Sequence, residues 1–138
     1  MSLTSYSTHH LVKSEDLNHH GTLYAGRTAE WFVESGFVAA ASLTKPENVV
    51  CLKIHGMRFS RPVQRGDLIC FTSCIAHAGT TSLVAHIKSE VKGETVVEGF
   101  ITFIHVDMNG KTFPHGVRVV PENEEEITLN AQAKALPR

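Results

Sequence analysis

The stretch NHHGTLYAGRTAEWFVESG, residues 18 to 36, holds an amide side chain, Asn18, then a glycine-punctuated lead, then two carboxylates, Glu30 and Glu34, on an otherwise apolar segment. A carboxylate can deprotonate water as a general base or attack an electrophilic carbon itself. By residue type alone, though, Glu34 near Arg27 and Glu30 is a solvated glutamate on a polar helix face, because charge on an exposed face is the rule. Asn18 is by the same standard a loop or cap residue that satisfies local backbone donors.

Other groups with reactive side chains are weaker candidates. The nine histidines include the pairs His9-His10 and His19-His20, but adjacent residues of a strand point to opposite faces, and no His-x-x-x-His lies on the helix. No metal site is therefore expected. Cys51, Cys70 and Cys74 sit in apolar, strand-like runs that would not lower a thiol pKa, and their odd number argues against a disulfide framework.

The elements that must position these groups can be read from periodicity. Residues 3 to 13 are β-branched, hydroxylic and aromatic, as in a first strand, and the polar KSEDLNHHG closes it. From Ala25 to about Leu43, Ala29, Phe32, Val33, Gly36, Ala40 and Leu43 recur on one side at helical spacing, with Arg27, Glu30, Trp31 and Glu34 opposite. TKPEN stops this long helix, since Pro46 restricts the residue before it and donates no hydrogen bond. Strands follow at 49 to 60, 67 to 77, 81 to 92 and 95 to 107, with connections short enough to make them antiparallel neighbours. ETVVEGFITFIHVD is apolar on both alternating faces, as a central strand would be, and DMNGK carries the Asn-Gly of a tight turn. PENEEEITLNAQAKALPR reads as a short, exposed helix with acids first and Lys134 last, the order its dipole favours.

The expected architecture is α+β, one antiparallel sheet wrapped around a long central helix, in a single domain spanning residues 1 to 138. A chain of this length buries roughly two-thirds of its unfolded surface and needs no disulfide. With 13 basic and 14 acidic residues and a net charge of −1, there is no electrostatic reason to expect nucleic acid or an anionic membrane as partner. No stretch approaches a membrane span, and the first residues have no basic lead or apolar run; with the free cysteines this reads as cytoplasmic. Unpaired sheet edges are most simply protected by a second copy, so a homodimer with a continuous sheet is expected.

Four stretches in register, NHHGTLYAG, IHGMRFSRPVQRGD, GTTS and VVEGFITFIHVDMNGK, covering most of residues 18 to 111, resemble the hotdog-fold acyl-CoA thioesterases. The resemblance implies hydrolysis of an acyl-CoA to free acid and coenzyme A, with no metal or other cofactor. In that family an Asn three residues before a glycine helps position the thioester and its nucleophile, and Asn18 stands there before Gly21. The second glycine of the family's Gly-Gly pair matches Gly26, whose backbone N–H would face the thioester oxygen, and Ala25 replaces the first. Helix-start N–H groups suit that task because they have no intrahelical partner and point with the dipole. The family's Asp position, seven residues after the second glycine, is Val33, and Glu34 follows one residue later, at the spacing of a catalytic glutamate in another hotdog branch. That shift turns a side chain by about 100°. Glu34 is the expected base or nucleophile and Glu30 a surface residue.

The same resemblance implies a cationic rim for the coenzyme A phosphates, for which Arg58, Arg61 and Arg65 with Lys53 are candidates. Thr81 and Ser82 would contact the thioester or pantetheine, His19 or His20 would assist the leaving thiolate, and Trp31, Phe32 and Phe37 would line the acyl channel or pack in the core. The oligomer could be a dimer, tetramer or hexamer. Two alternatives stand beside hydrolysis. One is a dehydratase or hydratase, which would need a histidine partner for Glu34. The other is a non-catalytic acyl-CoA binder or sensor, which the absence of the usual aspartate permits.

Overall fold

The structure, a computed structural model, describes residues 3–137. In chain order it comprises β1 (Tyr6–Leu11), α1 (Ala25–Ser42), β2 (Val49–Phe59), β3 (Leu68–Ala78), β4 (Ser82–Val91), β5 (Glu94–His105) and α2 (Glu124–Lys134), with 3-10 turns at Ser14–Asp16 and Pro46–Asn48. One sheet in the order β1-β3-β4-β5-β2, antiparallel throughout, curls over α1. This is the expected architecture, and β5 is an interior strand. Lys92 and Gly93, at φ of 52° and 80°, make the tight turn between β4 and β5. Among the described residues, no helix is long and apolar enough to cross a membrane.

The helix buries Thr28, Phe32, Ser35, Gly36, Ala39 and Ala40 against the sheet, a face rotated relative to the one expected, so Val33 lies on its flank. Small residues explain the rotation: they let the backbone approach. A side chain at Gly36 would meet Ile87 Cδ1 at 3.1 Å and Phe103 Cε2 at 3.3 Å. Phe32, Phe71 and Phe103 are fully buried in the resulting core with Ile69, Ile75, Leu83, Ile87 and Ile101, each contributing about 1.5–3 kcal/mol by removal from water.

Three register shifts interrupt strand alternation in β2 and β3, between Cys51 and Lys53, Ile54 and Gly56, and Ile75 and His77. Each extra residue moves the side chains beyond it to the other face. At the second shift, β5 runs so close to β2 that a Cβ on Gly99 would collide with the Gly56 carbonyl oxygen and stand 3.0 Å from Phe32 Cζ. Gly99→Ala is therefore expected to destabilise the fold by about 2–3 kcal/mol in urea unfolding. A loss below about 0.5 kcal/mol, the range of ordinary surface changes, would contradict this close approach.

Three further features differ from the sequence reading. The connection RPVQRGD does not make β2 and β3 neighbours: β2 pairs with β5 at the far edge of the sheet, and the chain crosses past the lead into α1 before β3 takes its place between β1 and β4. Only residues 6–11 of the first segment pair as a strand, Tyr6 opposite Ser73 through Leu11 opposite Leu68. And α2 is not simply exposed: it docks on the outer face of the sheet, where Ala133 is buried with Ala76 and Val84, and Asn130 Nδ2 donates to Ala76 O at 2.8 Å. Its start is capped by Asn123, whose Oδ1 accepts from Glu126 N at 2.8 Å. At the sheet's far edge β2 has no neighbour on one side and exposes Val50, Leu52, Ile54 and Phe59.

Candidate active site

The lead into α1 is fixed from both sides. Asp16, only 3% exposed, accepts from Lys13 N at 2.9 Å and stands 3.7 Å from Arg27 Nε. Tyr24 N donates to Asp16 O and Leu23 N to Val63 O, both at 2.8 Å, which ties the lead to the loop after β2. Between these anchors Asn18 folds the chain on itself. Its Oδ1 accepts from His20 N at 2.8 Å and Thr22 N at 3.2 Å, and its Nδ2 donates to Thr22 Oγ1 at 3.1 Å. Gly21 closes the turn at φ +79°, a conformation that suits glycine. A carboxamide Nδ2 carries two hydrogens, so one donor of Asn18 is left over.

The helix begins without a side-chain cap. Arg27 N and Thr28 N are the first donors to reach back, both to Tyr24 O at 3.0 and 3.1 Å, so the N–H groups of Ala25 and Gly26 precede the helical ladder. A Cβ on Gly26 would lie 2.8 Å from Tyr24 Cζ and 3.0 Å from its hydroxyl, so a side chain there would require the exposed Tyr24 ring to swing aside. Tyr24, which sequence reasoning passed over, thus folds its ring along the start of α1.

Asn18, Ala25 and Thr28 line one side of a cleft of about 380 Å³, and Phe59, Arg61 and Val97 line the other. Thr28 was missed by the sequence reading; its Oγ1 donates to Tyr24 O at 3.3 Å. Arg61 is held by a hydrogen bond from Nη2 to Val91 O and an ion pair from Nε to Glu94, both at 3.3 Å. The cleft opens beside the end of β2, an edge strand paired on one side only. A carbonyl lodged there would meet helix-start N–H groups, a spare amide donor and a guanidinium.

Not every expected residue comes to this cleft. Ser82 pairs with Ile104 at the opposite end of β5 from Val97, and lines a hollow on the outer face of the sheet. Thr81 engages that same end through its carbonyl, which accepts from His105 N at 2.8 Å. Arg58 pairs across to Glu98, whose carboxylate holds His86 at 2.7 Å, and Arg58 lines a shallow outer-face pocket instead of the cleft. The Arg58, Thr81 and Ser82 expectations thus part from Arg61 because a strand's two ends and two faces are separate places.

Glu34 is exposed and lies eight residues beyond Gly26, about 12 Å along the helix axis. Its field reaches His10 on β1, whose ring stacks on Trp31 at 4.2 Å. Burial pushes the His10 imidazole below its ordinary range, against the opposing pull of Glu34 and then Asp16. Val33 sits on the other flank, the side on which Phe37 meets Phe103 at 6.1 Å. Phe32 and Phe37 serve the core. Burial pushes the Cys74 thiol up to about 11 and also raises Cys51, so neither is an activated nucleophile. Among the described residues, no cluster of three or more metal-ligating side chains forms.

The family model described as "Thioesterase superfamily" matches residues 20–98. A Bacillus subtilis protein named "Uncharacterized acyl-CoA thioester hydrolase YkhA" is 32% identical over 124 residues, covering 86% of this chain and 71% of that protein. The "Acyl-CoA thioester hydrolase YciA" of Salmonella typhimurium is 29% identical over 116 residues, 75% of this chain and 84% of that one. Among solved structures, an apo hexameric acyl-CoA thioesterase superposes with a TM-score of 0.88 at 26% identity, covering 95% of this chain and 86% of its own.

Proposed function

From the premise that the chain belongs to the thioesterase superfamily and has its hotdog fold, we propose that it hydrolyses acyl-CoA thioesters to the free acid and coenzyme A. The observation that carries this reading is the cleft in which Asn18 stands beside the uncapped start of α1. Negative charge develops on the thioester oxygen as the carbonyl is attacked. The Gly26 N–H, with help from Asn18, is the proposed donor to that oxygen, since a donor held in place before the reaction lowers the barrier without reorganising. Arg61 at the cleft wall supplies positive charge toward a coenzyme A phosphate. Thiolate is a good leaving group, so no metal is required of the mechanism; coenzyme A enters only as part of the substrate.

Glu34 is the proposed base or nucleophile, supported by its spacing from Gly26 and by a carboxylate that, among the described residues, has no hydrogen bond or ion pair. A reacting carbon must lie about 3 Å from both base and oxyanion donors, whereas about 12 Å of helix separates Gly26 from Glu34. Glu34 would therefore serve the cleft of a second copy. The exposed apolar row on edge strand β2 and the hexameric thioesterase of the same fold support an oligomer built by sheet continuation. A cytoplasmic setting fits the three free cysteines.

One observation favours a second carboxylate. Glu30 lies one turn beyond Gly26, about 6 Å along the axis and only about 40° around it, so it is the glutamate that an unassisted chain could bring nearest the cleft. Mixing the two inactive variants Asn18→Asp and Glu34→Gln, with exchange of subunits, decides between them. A shared site predicts recovery of up to about a quarter of wild-type activity per site, since hybrid dimers carry one intact constellation. Glu34→Gln active by itself with Glu30→Gln inactive, which leaves no complementation to observe, would assign the base to Glu30 of the same chain.

A further inference from the structure

A second hollow, of about 430 Å³, lies on the outer face of the sheet, turned away from α1 and from the cleft. The last turn of α2 stands over it. Leu52, Val84, Ile104, Ala133 and Leu136 give it an apolar lining, and its titratable groups are Lys53, Lys134, His55 and His77. No Asp or Glu is among its lining residues, and neither is any Phe, Tyr or Trp.

Strand alternation alone would not have built this lining. Cys51, itself exposed, lies opposite Phe103, and Ile75 lies opposite Ala85; Phe103 and Ala85 are buried in the core beneath α1, which fixes the face. Counting by twos from Cys51 and Ile75, residues 53, 55 and 77 would point into that core. The register shifts reverse this. Lys53 comes opposite Thr102 and His77 opposite Val84, on the outer face, and His55, the extra residue of its bulge, places Nε2 at 2.7 Å from Thr102 Oγ1. Bulges re-aim side chains and are frequent both on sheet edges, such as β2, and next to active sites. Here three of them, on two strands that are not neighbours, deliver three nitrogen-bearing side chains to one hollow. Burial first and Lys53 second hold His55 below the ordinary imidazole range, and burial with Lys134 does the same for His77. Both rings are thus neutral hydrogen-bonding partners beside two ammonium groups at neutral pH. A cation in the last turn of α2 suits the helix dipole without any ligand, but that accounts for Lys134 and not for Lys53.

We propose that this hollow binds an amphipathic monocarboxylate, a medium-chain fatty acid, through Lys53 and Lys134 at its charged end and the aliphatic lining at its chain. Two ammonium groups without a competing acid select an anion. An apolar lining with no aromatic ring on which a purine could lie selects an alkyl chain over a nucleotide. Because Ala133, Lys134 and Leu136 form one wall, the occupant also holds the end of α2 against the sheet.

The test uses the full chain with octanoate, 1-octanol and free coenzyme A as probes in titration calorimetry, so hydrolysis is not a readout and the two proposals can fail separately. Octanoate is expected to bind saturably, and 1-octanol about tenfold or more weakly, since a hydrogen bond to a charged group is lost. Lys134→Gln and Lys53→Ala should each weaken octanoate by a similar factor. Both alter side chains at the rim, and an unchanged melting point will show that the fold is intact. Octanoate should also slow amide exchange over residues 124 to 134. The proposal is overturned if octanoate does not saturate, if both variants bind it as wild type does, or if exchange slows elsewhere but not in α2. It is overturned equally if coenzyme A displaces octanoate with the same sensitivity to the two lysines, which would make the hollow a nucleotide subsite.

Discussion

Glu34→Gln is expected to lower kcat for acyl-CoA hydrolysis by about a hundred- to ten-thousand-fold, the usual worth of a positioned general base, with ester binding little changed. The substitution keeps the shape of the side chain and removes only its basicity. Because Glu34 is exposed and, among the described residues, forms no ion pair, folding stability should shift by less than about 0.5 kcal/mol. The loss would then be chemical and not structural. Stopped assays that compare thiol release with ester binding separate the two parameters. Glu30→Gln is the necessary companion, since it removes the neighbouring carboxylate of the same helix: full activity there with loss in Glu34→Gln supports the assignment, and the reverse pattern moves the base one turn closer to Gly26.

The second large effect is expected from Asn18→Asp, about a hundred- to a thousand-fold in kcat, as for removal of one donor to a developing oxyanion. Asn18 has two possible occupations. One is local: Oδ1 receives the N–H groups of His20 and Thr22 and so shapes the turn. The other is the spare Nδ2 donor toward the cleft. Aspartate keeps the Oδ1 acceptor of the turn, and the Thr22 hydroxyl can donate to a carboxylate where it now accepts from Nδ2, but aspartate has no N–H to give. A folded, inactive Asn18→Asp would show that the donor matters. If Asn18→Asp is as active as wild type and only Asn18→Ala is impaired, the residue is a turn former, and the Ala variant's defect should appear as about 1 kcal/mol of lost stability.

The sequence was readable where one periodicity ran unbroken. The helix from Ala25 showed itself through apolar residues at helical spacing and a proline stop, and β5 through an apolar run on both faces, as befits a strand with neighbours on either side. Asn18 and Ala25 line one cleft because an Asn turn and a helix start stand close together in the chain, so local geometry brings them together. What the sequence could not convey was non-local. Arg61 reaches the cleft because β2 runs out beside the start of α1, while Arg58, three residues earlier, faces outward. Nothing in the spacing of two arginines distinguishes them. The bulges at Leu52, His55 and Ala76 leave no mark in composition, yet they reverse which face carries Lys53 and His77. Likewise α2 reads as an exposed helix until its Leu129 and Ala133, and Leu136 just beyond it, are seen against a sheet surface that only the folded chain assembles.

The alternatives to hydrolysis also take structural form. A hydratase would need an imidazole offered to the substrate alongside its carboxylate. His10, the ring nearest in influence to Glu34, is stacked on Trp31 with Phe71 at its edge, and its Nε2 is shut from solvent and without a partner among the described residues. That geometry removes support from the hydratase reading. A silent acyl-CoA binder remains the sharper competitor, since Val33 occupies the position where the resembled family carries an aspartate.

The measurement that bears most directly on the central claim is thiol release by the wild-type protein from a panel of short-chain, long-chain and aryl acyl-CoAs, followed beside direct binding of the same esters. Hydrolysis predicts saturable, enzyme-dependent release of coenzyme A from at least one member of the panel, well above the rate in buffer. Binding of the esters with no release from any of them would contradict it, and would make this cleft a receptor for acyl-CoA instead of a catalyst.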